Sequence, residues 1–200
     1  MAKLTSERMD ELFPAYDPAR HTDAHLFVCV GSWHSYTACD EHALGACWKG
    51  RYFIDFMELN GSDELEDVLD TLGYSREQRE ELFIQDYESD FFECRNCDSE
   101  DPRGLADLVN DNRDEIENDL AQICAYMEAF GGDLKEALDH YNDYVFYEGM
   151  SAEDVAYENV QEDLGNVPEY LQNYIDFAAL ARDEILSGYW HETSKGTLCY

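Results

Sequence analysis

Basic residues are scarce in this sequence. Its 200 residues include 13 Lys or Arg against 46 Asp or Glu, so the formal net charge is −33. A chain with this balance repels nucleic acids and anionic membranes, and its expected partner is a basic surface. Long apolar runs are absent too: none approaches the roughly 18–20 residues that cross a bilayer. We therefore expect neither a nucleic-acid ligand nor a membrane.

An apolar secretory segment is missing from the N-terminus, which begins MAKLTSERMDELF. The cysteine count of seven is odd, so we expect reduced thiols in a cytoplasm. Cys94 and Cys97 form a lone C-x-x-C, whereas a structural zinc site needs a second cysteine pair or two histidines. The six histidines are scattered, with no H-E-x-x-H pair. We assign no catalytic residue, no metal and no cofactor. A metal- or redox-active regulator acting through Cys94 and Cys97 stays an open alternative.

Apolar residues are plentiful, at 44% hydrophobic and 14% aromatic, so the chain has enough to bury a core and is not disordered. Their periodicity predicts an α+β protein, an elongated chain of three small domains. The predicted divisions are an N-terminal extension over 1–24, a small antiparallel sheet with a helix over 25–60, a bundle of short helices over 61–110, and helices with a small sheet over 111–200.

Apolar spacing, glycines, prolines and capping residues place the elements. In the first half we predict a short helix at Ser6–Phe13 in a frayed tail, strands from His25, Ala43 and Arg51, a helix capped by Ser62 and ended by Gly73, a helix capped by Ser75 with Leu82 and Phe83 on its buried side, and a polar loop up to Gly104. In the second half we predict a helix from near Asn112 to Phe130, a helix begun by a capping box of Ser151 and Asp154 and closed by Gly165, a helix from Pro168 through Ala181, and a hairpin about Ser194–Gly196.

The acids are unevenly distributed and regularly spaced. Residues 61–200 carry a net charge of −29, and the stretch from Glu136 to Ala181 has 11 acids and no Lys or Arg. Many acids recur four residues apart, where like charges on one helix face each cost a few tenths of a kcal/mol. The candidate partner-binding carboxylates are Asp63, Glu66, Asp67, Asp70, Glu77, Glu81, Asp86, Glu88, Asp111, Glu115, Asp119, Asp139, Asp143, Glu153, Asp154, Glu158, Glu162 and Asp163.

Such a surface has the charge of a nucleic acid. Duplex DNA presents about one negative charge per 1.7 Å of axis, so a net −33 matches very roughly 55 Å of duplex. A protein of this kind can dock into a basic cleft by the electrostatics that dock DNA. General surface acidity, as in halophilic proteins, explains the composition equally well, and composition does not separate the two interpretations.

The end of the chain favours the first interpretation. NVPEYLQNYIDFAALARDEILSG resembles the antirestriction motif of the ArdA family, which spans 167–188 here. The segment FVCVGSWHSYTACDEHALGACW is similar to the family's opening strand, loop and strand, and Gln85–Glu88 to its acidic-aromatic segment. The matching motif positions are Val167, Pro168, Leu171, Gln172, Asn173, Tyr174, Ile175, Asp176, Arg182, Asp183, Leu186, Ser187 and Gly188.

The resemblance implies a DNA mimic, carried on mobile elements, that occupies the DNA-binding site of type I restriction–modification enzymes. It implies a non-catalytic homodimer whose acids stand in for phosphates against the specificity and modification subunits. The motif would lie near the dimer contact, with Leu171, Tyr174, Ile175, Asp176, Phe177, Arg182 and Asp183 as its candidate residues. The alternative function is an acidic adaptor or chaperone that binds another basic DNA-binding protein.

Overall fold

A computed structural model describes residues 3–14, 24–38, 53–89, 101–165 and 167–200. Across these ranges the protein is α+β, as predicted, with helices and two three-stranded antiparallel sheets. The chain forms two compact units, Met1–Asn118 and Asp119–Tyr200. The finer division into three domains stays a prediction.

The sheet of the first unit has the strand order β2-β1-β3, with β1 at Phe27–Ser32, β2 at Ile54–Asp55 and β3 at Leu82–Glu88. The strand predicted from His25 is confirmed as β1, which is buried along its whole length. The placement of Leu82 and Phe83 on a helix is wrong. The helix capped by Ser75 ends at Glu80, and the chain then pairs antiparallel with β1.

Five helices surround this sheet within the described part of the first unit: α1 at Ser6–Leu12, α2 at Trp33–Ala38, α3 at Gly61–Leu72, α4 at Arg76–Glu80 and α5 at Pro102–Asp111. The predicted helix α3 is confirmed, and Gly73 ends it in a left-handed conformation with φ of 91°. The predicted cap Ser62 is wrong, because the helix begins at Gly61 after Asn60. The capping of α4 by Ser75 is also confirmed. The first three residues of α5, Pro102-Arg103-Gly104, were predicted as loop. Proline is tolerated at the first helical position, where its missing N–H removes no bond, and Asp101 caps the helix.

The prediction of a frayed N-terminal tail is wrong for α1. Met9 and Leu12 are buried, and the Leu4 backbone N–H donates to Thr71 Oγ1 of α3 over 3.2 Å. Buried apolar side chains give this short helix the stabilisation that its length alone cannot supply. The extension is therefore part of the first unit as far as Leu12.

The second unit begins within α6 (Arg113–Phe130), where non-helical backbone angles at Asp119 interrupt the helix. The elements that follow are α7 at Leu134–His140, a 3-10 turn at Tyr141–Asp143, β4 at Val145–Glu148, α8 at Ala152–Leu164, α9 at Glu169–Gln172, α10 at Phe177–Ser187, β5 at Trp190–Thr193 and β6 at Gly196–Cys199. The sheet order is β4-β6-β5. A core of Ala152, Val155, Ala156, Ala181, Trp190 and Cys199 joins α8 and α10 to this sheet.

Two sequence signals in this unit are confirmed and one prediction is wrong. The capping box of Ser151 and Asp154 begins α8, and the predicted hairpin joins β5 to β6. The continuous helix predicted from Pro168 through Ala181 is instead two helices. The break lies at Asp176, whose side chain accepts the Ala179 N–H over 2.9 Å and caps α10. Within the described ranges, no helix has both the length and the apolar character that crossing a membrane requires.

Candidate functional site

Helix α8 presents the clearest row of carboxylates. Its buried residues are Ala152, Val155 and Ala156, and none of its acidic residues belongs to this buried set. Five of its residues are acidic, all five are exposed, and none forms an ion pair with a base in the part of the chain that the structure describes: Glu153, Asp154, Glu158, Glu162 and Asp163. Asp154 has a second role, because it accepts the Ser151 hydroxyl over 2.6 Å at the helix start.

Most of the other predicted carboxylates are exposed as well. In the second unit Asp139 and Asp143 are exposed, each beside one base: Lys135 lies 3.4 Å from Asp139, and His140 lies 3.2 Å from Asp143. The exposed members in the first unit are Asp63, Glu77, Glu81, Asp86, Glu88 and Asp111. These side chains meet the first requirement of a surface that binds a basic partner, which is access to solvent.

Five predicted carboxylates are instead half-buried, namely Glu66, Asp67, Asp70, Glu115 and Asp119. Glu66 accepts from Arg103 Nε over 2.8 Å and from Arg79 Nη1 over 3.3 Å, and Asp70 lies 3.6 Å from Arg79. Asp119 accepts the Tyr141 hydroxyl over 2.8 Å. Because Glu66, Asp70 and Asp119 make these contacts within the fold, they are less available to a binding partner.

Two carboxylates of the first unit that were not among the predicted ones, Glu64 and Asp55, make close contacts within the fold. Glu64 accepts from Arg8 Nε and Nη2 over 2.8 and 2.9 Å, and the Arg8 hydrogen bond holds the pKa of Glu64 below its usual range. Asp55 is fully buried beside His25, with Asp55 Oδ2 2.6 Å from His25 Nδ1, and burial raises the pKa of Asp55. Arg8 and His25 lie 30 or more residues from their partners in sequence, so no local sequence pattern predicts either pair.

The motif residues divide between packing and exposure. Phe177 packs against the core of the second unit and makes an edge contact with Tyr157 at 5.3 Å between ring centroids. Tyr174 is 86% exposed and Leu186 is 78% exposed, and Leu171 is exposed as well. Ile175 is half-buried. Exposed apolar side chains of this size mark a protein–protein contact where they form one continuous patch.

Arg182 and Asp176, both candidate motif residues, do not form an ion pair with each other. Arg182 and Asp183 are both exposed on α10, and Asp176 caps the same helix. Among the residues that the structure describes, no carboxylate forms an ion pair with Arg182. Arg182 is thus an exposed base beside an apolar surface.

A groove of about 600 Å³ runs beside α8 in the second unit. It is lined by Tyr147, Met150, Glu158, Asn159, Gln161 and Glu162, with Gly165 at one end. Glu158 and Glu162 were predicted as partner-binding carboxylates, whereas Tyr147 was not among the candidate residues. In sequence, the one feature that points to the groove is a tyrosine one residue before the end of a short strand, and this feature is too common to predict a groove.

No cluster of three or more His, Cys, Asp or Glu side chains suited to a metal occurs in the described ranges. The prediction for Cys94 and Cys97 lies outside the described residues. Cys29, Cys124 and Cys199 are buried, and none of the three forms a disulfide. Burial raises the pKa of Cys124 to about 12 and that of Cys199 to about 11, which keeps both as unreactive thiols.

Comparison with known proteins agrees with the motif. None of the curated proteins matches the chain. The profile of the ArdA antirestriction proteins matches residues 28–198, which is most of the sequence and runs from within β1 to within β6. The match begins after α1, so this helix precedes the part that the family shares. The chain belongs to the ArdA family of antirestriction proteins.

Proposed function

We propose that this protein inhibits type I restriction–modification enzymes by occupying their DNA-binding site, with its carboxylates in place of phosphates. The observation that carries the proposal is the row of five exposed acids on α8, none of them in an ion pair within the described chain. Family membership names the activity, and this row supplies a physical basis for it.

The number of carboxylates per unit length of α8, as well as their negative charge, supports mimicry of DNA. Its 13 residues extend over roughly 20 Å. One strand of B-DNA places a phosphate about every 3.4 Å, so roughly six phosphates occupy the same length. Five carboxylates over that distance therefore come close to the charge of one DNA strand. Self-repulsion among them costs stability, which an unrelated solvent-facing helix would avoid by alternating acids with lysines.

The target surface follows from this charge. The specificity and modification subunits must bind DNA phosphates with Lys and Arg, and the proposed contact uses those same side chains. The protein acts by occupancy and needs no catalytic group of its own, so we propose a non-catalytic inhibitor working in the cytoplasm. The candidate contact residues are the eighteen predicted carboxylates, with the exposed ones contributing more than Glu66, Asp70 and Asp119.

The protein is further proposed to act as a homodimer through the motif. The exposed side chains of Leu171, Tyr174 and Leu186 would then pack against the second copy. Arg182 lies four residues before Leu186 on α10, so the two side chains share a helix face. A contact that buries Leu186 would bring Arg182 to a carboxylate of the other copy.

Competition measures the proposed mechanism directly. The purified protein is titrated into a type I methyltransferase bound to labelled duplex DNA, at two salt concentrations. Displacement of the DNA that weakens steeply with salt is expected, since the contact is between exposed charges. Failure to displace DNA at low salt would reject this target. The acidic adaptor would then be the better function, and a search for a different basic partner would follow.

A further inference from the structure

The groove beside α8 differs from the rest of the acidic surface because it is concave and has an aromatic wall. Glu158 and Glu162 are one helical turn apart on its α8 side, about 5–6 Å between their Cβ atoms. Tyr147 lines it from β4, and Met150 lines it from the segment that joins β4 to α8. No lysine or arginine lines it. The groove therefore offers two carboxylates and a ring to one cationic group.

The walls of the groove are held in place before any ligand arrives. Tyr147 pairs with Thr197 across the sheet, and the Thr197 hydroxyl donates to the Met150 carbonyl over 2.9 Å. Tyr147 and Met150 both pack against the core of this unit. A site whose side chains are already ordered loses less conformational entropy when it binds.

The far end of the groove is tied to the antirestriction motif. Gln161 Oε1 accepts the Val167 backbone N–H over 2.8 Å, which leaves the Gln161 amide Nε2 buried without a partner in the described chain. Gln172 Nε2 donates to the Val167 carbonyl over 2.9 Å. The motif thus positions one wall of the groove through Val167.

The chemistry of the groove favours arginine over lysine. A guanidinium is planar, presents several N–H donors in a fork that suits two carboxylates, and stacks on aromatic rings, whereas an ammonium is a compact and strongly hydrated charge. Burial raises the pKa of Tyr147, so its hydroxyl stays protonated beside Glu162. A DNA phosphate backbone has no equivalent of this aromatic wall.

We propose that the groove lined by Tyr147, Glu158 and Glu162 binds one arginine side chain of the inhibited enzyme, as an anchor that DNA itself does not offer. This inference rests on the proposed function, since the arginine belongs to the DNA-binding surface of that enzyme. The other carboxylates supply long-range attraction, and the groove supplies one short-range contact of defined shape. Binding energy at protein interfaces is commonly concentrated in such contacts, with arginine and tyrosine enriched among them.

The test compares two double variants of α8 that remove the same charge. Glu158→Gln with Glu162→Gln changes the groove, and Glu153→Gln with Asp163→Asn changes exposed acids elsewhere on the helix. Each is titrated into the methyltransferase–DNA complex at low and high salt. We expect the groove variant to inhibit roughly tenfold less well than wild type at both salt concentrations. The control variant should lose a smaller amount at low salt and match wild type at high salt, because exposed charges are screened.

The aromatic wall is tested separately on the full chain. Tyr147→Phe keeps the ring and should retain inhibition, whereas Tyr147→Leu removes the ring and should lose it at both salt concentrations. Thermal unfolding of both variants reports whether the second unit remains folded. A chain of equal stability that inhibits normally without the ring would overturn the proposal.

A small probe measures the groove without the enzyme. Methylguanidinium chloride, added to the labelled full-length protein, should shift the side-chain amide signals of Asn159 and Gln161 more than methylammonium chloride does. The shifts should vanish in the groove variant and persist in the control. Equal shifts for both cations, or shifts unchanged in the groove variant, would overturn the proposal.

The remaining outcomes separate this inference from the proposed function. If the two double variants lose inhibition equally at both salt concentrations, the groove is not an anchor, although the mimicry stands. If the groove variant alone becomes monomeric in sedimentation, the occupant is a second copy and the proposal is overturned. If wild type displaces no DNA, the proposed function fails, and the methylguanidinium titration alone decides whether the groove binds guanidinium.

Discussion

Replacing Leu12 by alanine should destabilise the first unit substantially. Leu12 is 0% exposed in a helix that precedes the matched family residues 28–198. Truncating a fully buried leucine removes its transfer free energy and leaves a cavity, at a cost of about 2–5 kcal/mol. For a unit of this size each kcal/mol lowers Tm by roughly 4 °C, so a loss of about 3 kcal/mol lowers it by roughly 12 °C.

Arg8 gives a second measure of the same docking. Its guanidinium donates to Glu64 over 2.8 and 2.9 Å, to Glu11 over 3.0 Å and to the Glu58 carbonyl over 2.6 Å. Arg8→Ala leaves Glu64 without its cation and should cost about 2 kcal/mol. Arg8→Lys should recover only part of this, because lysine keeps the charge but not the fork.

The pH dependence of this contact has a definite sign. Arg8 lowers the pKa of Glu64, so Glu64 contributes stability above its unfolded pKa of about 4.5 and loses it as pH falls through the lower folded value. The difference in unfolding free energy between wild type and Arg8→Ala should therefore be largest near neutral pH and shrink in acid.

Thermal and urea unfolding of the full chain, followed by circular dichroism, measure these changes. Glu7→Ala is the matched control, because Glu7 is exposed on the same helix and its loss should cost no more than about 1 kcal/mol. If Leu12→Ala unfolds at the temperature of Glu7→Ala, then α1 is not packed in solution and the reasoning from its burial is refuted.

Three further predictions concern the dimer, a buried carboxylate and a glycine. Tyr174→Asp places a charge on the most exposed motif side chain, and its sedimentation should show a monomer. The control Val145→Asp places the same charge on an exposed residue outside the motif and should remain a dimer. A dimeric Tyr174→Asp variant would contradict the proposed contact. Burial raises the pKa of Asp55, so wild type should lose stability as pH rises from about 3.8 through the folded pKa, whereas Asp55→Asn should not. If urea unfolding gives parallel curves of stability against pH for the two proteins, this prediction is contradicted. Gly196→Ala should lower the stability of the second unit by more than about 2 kcal/mol, because its φ is 147° and a Cβ would overlap the Tyr147 carbonyl oxygen; an unchanged thermal unfolding curve would show that the hairpin relaxes.

Local signals predicted the elements whose causes are local. The capping box of Ser151 and Asp154 begins α8, and Gly165 ends it in a left-handed conformation, because caps act within four residues. The same kind of argument failed from Pro168 to Ala181. An aspartate such as Asp176 is compatible with a helix interior and also with a helix cap, and in the structure it caps α10.

The docking of α1 and the groove could not be predicted in this way. A seven-residue helix is marginal alone, and whether it packs depends on an apolar surface that forms elsewhere in the chain. Tyr147 has the sequence pattern of a core residue, and only the packing of β4 against β6 and of α8 beside them leaves its ring at a groove.

The sequence by itself determined the sign and amount of charge, the α+β class and, through the motif, the family. These depend on composition and on short patterns that survive without coordinates. The tertiary structure decided which carboxylates are available. Glu66 and Glu158 look alike in sequence, but Arg79 and Arg103 reach Glu66 from 13 and 37 residues away, while Glu158 stays exposed. Ion pairing depends on distance through space, and that distance exists only once the chain has folded.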